Sequence, residues 1–192
     1  YINHLSKILV RIFLRGEGED DGAFYRRKIA EANALREKLV GGDCYRMVYG
    51  EADGLPALIA DRYGDCIVLE CLSLGVDRRR ERIAGYFAEL FSPRCVYMRG
   101  TAPVRRKEGL SLEDALLWGE LPEELVVTEN GLKLCVDIRN GQKTGFFLDQ
   151  KENRLALRRY AAGGRVLDCF CNSGGFSLDA ALVAKEVGAN DI

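Results

Sequence analysis

The residues best placed to do chemistry lie near the end of the chain, in Val166-Leu167-Asp168-Cys169-Phe170-Cys171-Asn172-Ser173-Gly174-Gly175-Phe176-Ser177. A short apolar run ends on a carboxylate, a glycine-bearing turn follows, and the sequence then becomes helical. In a strand–glycine loop–helix the backbone can approach a ligand closely, and the unpaired N–H groups of the helix start face it. A second carboxylate, Asp191, comes 23 residues after Asp168. An acid at about this spacing, at the end of the second strand of an α/β unit, can accept hydrogen bonds from both hydroxyls of a ribose. The spacing therefore points to an adenosine-containing cofactor. The dinucleotide fingerprint G-x-G-x-x-G is absent, which disfavours a nucleotide-binding oxidoreductase. Asp168 would repel a pyrophosphate and attract the ammonium group of an aminoacyl sulfonium, which favours S-adenosylmethionine over NAD. A plain strand–loop–helix with no ligand is the alternative that spacing leaves open.

The totals bound the setting. The chain has 192 residues, 47% hydrophobic and 30% charged, with a formal net charge of −1. Overall charge makes no case for nucleic acid, so any such site must be local. No stretch approaches the roughly 20 apolar residues that span a bilayer, and Tyr1-Ile2-Asn3-His4 does not open a signal peptide. Membrane partners are not expected. Seven cysteines are present without a C-x-x-C pair, and there is one histidine; no metal site is expected. Most of the cysteines sit in apolar, strand-like runs and read as reduced, buried small hydrophobes of a cytoplasmic protein.

The elements that must position the loop can be read from periodicity. Residues 5–14 read as a strand, followed by an acidic, glycine-rich break at 16–22. Phe24, Ile29, Ala32, Leu35 and Leu39 mark one face of a helix that ends at Gly41-Gly42. Strands are predicted at 44–49, 58–63 and 66–72, the last two joined by Gly64-Asp65, then a helix over 76–91 stopped near Pro93, and a strand at 95–98. Asn130-Gly131 marks a second hairpin between 125–128 and 132–138. Asp149-Gln150-Lys151-Glu152 has the form of a capping box, so a helix should begin near Gln150. A strand at 166–170, a helix at 176–184 and a strand from 187 complete the reading. The fold class expected is an α+β central domain followed by an incomplete α/β Rossmann-like domain.

A longer signature precedes the glycine loop: Asn140-Gly141-Gln142-Lys143-Thr144-Gly145-Phe146-Phe147-Leu148-Asp149-Gln150-Lys151-Glu152-Asn153-Arg154. It closely resembles a signature of the ribosomal RNA large subunit methyltransferase I family, and Val166 to Ser177 resembles motif I of class I methyltransferases. Asp53 to Asp65, Arg105 to Leu110 and Glu129-Asn130-Gly131-Leu132 resemble further segments of that family, so the resemblance runs along essentially the whole chain. It implies a PUA domain, a small central domain and a Rossmann-like catalytic domain. On that division 1–15 is the last strand of a PUA domain, 16–42 a linker and helix, 43–118 the central domain, and 119–192 the hairpin and the start of the catalytic domain, with the chain cut at both ends. It also implies methyl transfer from S-adenosylmethionine to carbon 5 of a cytosine in 23S rRNA. Carried over by position, Lys143, Phe146 and Gln150 line the cofactor pocket, Asp168, Phe170, Asn172, Gly174 and Gly175 surround the cofactor, and Asp191 holds its ribose. Lys151 stands where arginine is commoner, and Asn172 where tyrosine is frequent.

Enzymes of that kind attack carbon 6 of the base with a cysteine from a later motif, which this chain does not reach. Cys169 and Cys171 are assigned to the cofactor side and not to nucleophilic duty, since neither has an evident base beside it. The catalytic residue is left unknown. The alternative function is a non-catalytic fragment that at most binds RNA or a partner. A sheet ending on an exposed edge is an association hazard, so a homodimer is a possible state. Among the basic clusters, Arg105-Arg106-Lys107 is the first choice for touching RNA, because it sits in a loop-like stretch. Tyr45, Tyr49 and Tyr63 could stack on bases, although tyrosines at strand spacing more often pack inward.

Overall fold

The computed structural model describes residues 1–191. Helix α1 (Gly22–Leu39) begins where the Asp21 carboxylate accepts from the Phe24 amide at 2.8 Å, and Gly41 leaves it with φ of 61°. Strands β1 (Cys44–Tyr49), β2 (Leu58–Tyr63), β3 (Cys66–Cys71), β4 (Cys95–Met98) and β5 (Ala115–Gly119) form one sheet in that order. All neighbours run antiparallel except β3 and β4, which are parallel. A parallel step needs a crossover, supplied by α2 (Leu74–Asp77) and α3 (Arg80–Phe91). The short α4 (Val104–Lys107) lies between β4 and β5.

Both faces of this sheet are covered, so β3 and β4 read as apolar runs and not as alternation. Ile67, Leu69, Val96 and Met98 pack against Phe24, Tyr25 and Ile29 of α1 and Ile83 and Phe87 of α3. The opposite face presents Cys44, Tyr63, Cys66, Val68, Cys95 and Tyr97. Over it lies a two-stranded hairpin, β6 (Val126–Glu129) and β7 (Leu132–Cys135), through Leu125, Val127, Leu134, Val136 and Ile138. Asn130 and Gly131, with φ of 52° and 84°, make its turn. The rest of the chain is α5 (Lys151–Ala161), β8 (Arg165–Asp168), α6 (Gly175–Ala181) and β9 (Glu186–Ala189), with β8 and β9 parallel. The whole is a mixed α/β fold. No helix among the described residues is long and apolar enough to cross a membrane.

Several expectations are corrected. Residues 5–14 form no strand; one isolated bridge joins Ile2 and Val10. This segment pairs with no strand among the described residues, and polar side chains hold it instead. Glu108 accepts from Asn3 at 2.9 Å, Ser6 at 2.5 Å and Arg11 at 2.8 Å. The helix expected over 76–91 is two helices, broken at Arg78 and Arg79. β5 was not anticipated, because its sequence alternates poorly. The Arg105 region is helical, and Arg105 is 0% exposed. It pairs with Asp77 at 2.9 Å and donates to the carbonyls of Ser111 and Cys71. Arg105 is therefore a buried strut and not an RNA contact, whereas Arg106 and Lys107 are exposed. Cys44, Cys66, Cys71 and Cys95 are buried, but Cys135 and Cys169 are exposed and Cys171 is partly so.

The Glu108 cluster yields a pH prediction. Burial pushes this carboxyl up, but hydrogen bonds from Ser6, Asn3 and Arg11 outweigh it, so it titrates below its ordinary range. A depressed folded value contributes stability that is present above the unfolded pKa of about 4.3 and is lost as pH falls through the folded one. Amide protection factors of residues 3–11 should therefore hold at neutral pH and drop below roughly pH 4. In Glu108→Ala they should be low throughout, with stability reduced by about 3 kcal/mol. Protection indifferent to both acid and substitution would contradict this.

Candidate functional site

The hairpin face of the sheet also fixes the loop that follows β7. Phe146 is buried in that second core. The Thr144 hydroxyl donates to Asp61 at 2.6 Å and lies 2.8 Å from the Tyr63 hydroxyl, which accepts from the Phe146 amide at 3.2 Å. Arg99 donates to the carbonyls of Ile138 and Gly141, both at 3.0 Å. Position 141 has no room for a side chain, because a Cβ there would stand 2.4 Å from the Asp137 carbonyl oxygen. The loop is thus tied to β2 and β4 at several points. The capping box is not formed. Asp149 instead pairs with Lys143 at 2.7 Å, which lowers its pKa, and a 3₁₀ turn at Leu148–Gln150 leads into α5.

Arg154, on the first turns of α5, is buried and reaches three neighbours. It pairs with Glu129 of β6 at 2.5 Å, donates to the Phe147 carbonyl at 3.1 Å, and lies 4.5 Å from the Phe146 ring centre. Burial raises the Glu129 carboxyl, and Arg154 draws it back. Arg158 makes a similar tie, to Asp179 of α6 at 2.6 Å and to the Asn130 carbonyl at 2.7 Å. The α5–α6 pair is therefore locked to the hairpin, and through it to the sheet.

Between β8 and α6 the backbone takes left-handed conformations at Asn172 (φ 49°) and Gly174 (φ 79°). Asparagine and glycine are the residues that tolerate this region best. The Asn172 amide donates to the Asp191 carboxylate at 3.1 Å, which joins the loop after β8 to the end of β9. Ser177 donates to Asp168 at 2.7 Å.

A cavity of about 540 Å³ opens where these parts meet. Of the residues expected from sequence, Lys143, Phe146, Gln150, Phe170, Asn172, Gly175 and Asp191 line it. Asp168 and Gly174 are not among the residues that line it. Cys171, assigned from sequence to the cofactor side, also lines it, as do Gln142, Phe147, Arg154, Ser173 and Phe176, which were not named as site residues. Gln142, Phe147 and Arg154 lie inside the signature, and Ser173 and Phe176 inside the glycine-loop motif, so a signal for each was available. A Cβ at Gly175 would meet Phe146 at 3.1 Å and Arg154 at 3.2 Å, so this wall is close-packed. The volume suits a nucleoside-sized ligand. Four phenylalanines offer apolar surface to a flat ring, and Asp191 offers acceptors for hydroxyls. These features fit an adenosine cofactor.

Comparison with known proteins agrees. The profile of the S-adenosylmethionine-dependent methyltransferase family matches residues 107–191. Ribosomal RNA large subunit methyltransferase I of Klebsiella pneumoniae is 43% identical over 180 residues, covering 91% of this chain and 45% of that protein. The chain is a homologue of ribosomal RNA large subunit methyltransferase I. The Shewanella amazonensis protein of that name is 44% identical over 181 residues, 92% of this chain and 46% of its own length. The chain thus spans a little under half the length of these methyltransferase I relatives. Among solved structures, a candidate SAM-dependent methyltransferase from Streptococcus mutans superposes with a TM-score of 0.81 at 24% identity, over 100% of this chain and 50% of that one. That likeness establishes the fold. S-adenosylmethionine is the cofactor of the matched family.

Because Arg154 leaves Glu129 buried and uncompensated when removed, Arg154→Ala should lower stability by about 3–5 kcal/mol in denaturant unfolding. A loss below ~1 kcal/mol, the range of an exposed pair, would show that the pair does not hold these elements together.

Proposed function

We propose that the chain carries the cofactor-binding part of an RNA methyltransferase that moves a methyl group from S-adenosylmethionine to carbon 5 of a cytosine in 23S rRNA. The observation that carries this reading is the cavity itself. The glycine loop after β8, Asp191 after β9 and the Lys143–Gln150 segment converge on one space. When bound, the cofactor supplies a methyl group activated by a sulfonium charge. The chain's own residues bind and orient it. Asp191 would accept from ribose hydroxyls and the phenylalanines would enclose the adenine, while Asp168, which does not line the cavity and has one oxygen held by Ser177, would draw the ammonium end by its charge. Arg106 and Lys107 are proposed to meet RNA phosphates from the surface. No described residue is given the nucleophile's part. Cys171 touches the cavity, but among the described residues its sulfur has one hydrogen-bond contact, to the Asn172 carbonyl at 3.8 Å, and none to a side-chain base.

Titration calorimetry with S-adenosylhomocysteine tests the reading. The chain should bind it, and Asp191→Ala and Asp168→Ala should each weaken binding roughly tenfold or more, as expected for lost hydrogen bonds to a charged group. Absence of binding, or binding indifferent to both substitutions, would overturn the reading and favour a non-catalytic role for this chain.

A further inference from the structure

The three tyrosines at strand spacing have different surroundings. Tyr45 and Tyr63 are buried, whereas Tyr49, at the end of β1, is 54% exposed. The Arg46 guanidinium lies 5.2 Å from the Tyr49 ring centre. A register shift between Arg46 and Val48 lets residues three apart share one face. Tyr49, Ile59 and Glu70 are then cross-strand neighbours in a row over β1, β2 and β3. This row lies on the face that the hairpin covers elsewhere. Past the edge of the hairpin it remains open and forms a groove of about 710 Å³. Lys143 and Phe146 line both this groove and the cofactor cavity, so their loop is the partition between the two.

The charges of the groove favour a base over a phosphate. Each cation on its wall already has an acid: Arg36 with Asp53 at 2.5 Å, Arg46 with Asp61 at 2.8 Å and Lys143 with Asp149 at 2.7 Å. The unmatched group is Glu70. Burial and the nearby Asp61 push its carboxyl up, Arg46 and Arg99 draw it down, and no hydrogen bond among the described residues contributes. A carboxyl so placed accepts well from an exocyclic amino group, the edge that distinguishes cytosine from uracil. An exposed aromatic ring beside it offers a stacking surface worth about 1–3 kcal/mol per base.

We infer that this groove takes one base of single-stranded RNA, stacked on Tyr49 and read at its amino edge by Glu70. The base so held lies across the Lys143–Phe146 wall from the cofactor cavity; that it belongs to a methylated RNA rests on the methyltransferase reading above, whereas the groove's affinity for a base does not.

The test is fluorescence anisotropy of the chain with labelled pentacytidylate and pentauridylate RNA, run beside calorimetry with S-adenosylhomocysteine. Pentacytidylate should bind the more tightly, with a shallow dependence on salt. Tyr49→Ala should weaken it about tenfold, and Tyr49→Phe should retain it. Glu70→Leu should erase the preference for cytosine over uracil while leaving a common residual affinity. Pentacytidylate binding unchanged in Tyr49→Ala, or equal binding of the two RNAs by the unaltered chain, would overturn the inference. Tyr49-dependent RNA binding without S-adenosylhomocysteine binding would support the groove and overturn the methyltransferase reading alone.

Discussion

The ion pair between Glu129 and Arg154 is the contact on which the rest of the site depends. Glu129 belongs to the hairpin that packs on the central sheet, and Arg154 belongs to the helix that precedes β8. Both side chains are almost wholly buried. A charge left alone there would be costly, so each fixes the other. Arg154 then spends its remaining surface on the Phe147 carbonyl and on the rings of Phe146 and Phe176. A single guanidinium therefore joins the hairpin, the signature loop and the first helix after the glycine turn. The cavity is the space left between parts that this one group holds at fixed separation.

The central sheet contributes in a different way. Its hairpin-side face carries Tyr63, whose hydroxyl finds its partners in Thr144 and the Phe146 backbone, and Asp61, which accepts from Thr144 as well as from Arg46. Burying them makes the loop a fixed wall with two sides. One side looks into the cofactor cavity and the other into the groove beside Tyr49. A loop pinned by hydrogen bonds to a sheet positions its side chains more narrowly than a free one. Lys143 sits at φ of 55°, a strained position for lysine, where its ammonium reaches Asp149 and covers the Phe147 ring at 4.6 Å.

Much of this was legible in the residues. Strand periods placed β1, β2 and β4 at their observed bounds, because those segments are bounded by turn residues, and β1 and β2 also pair with each other across a short connection. Asn130-Gly131 announced its turn through backbone preference alone. The signature before α5 and the glycine loop after β8 named most of the cavity wall. What was not legible depended on contacts between distant residues. Arg105 looked like a surface cation because sequence does not show Asp77 and the Cys71 carbonyl waiting for it. Residues 5–14 had the composition of a strand, but a strand needs a neighbour, and Glu108 offered side-chain hydrogen bonds instead. The capping box failed because Lys143, six residues away, competes for the same Asp149 carboxylate.

The most direct test of this account separates stability from geometry at the buried pair. Glu129→Leu with Arg154→Met replaces two paired charges by apolar groups of similar size, a change that buried pairs often tolerate with little loss of stability. The account predicts that this double variant folds, yet binds S-adenosylhomocysteine at least about tenfold more weakly, since Phe147 and Phe176 then lose the guanidinium that sets them against Phe146. A folded double variant with the affinity of the unaltered chain would contradict it, and would place the organisation of the cavity elsewhere.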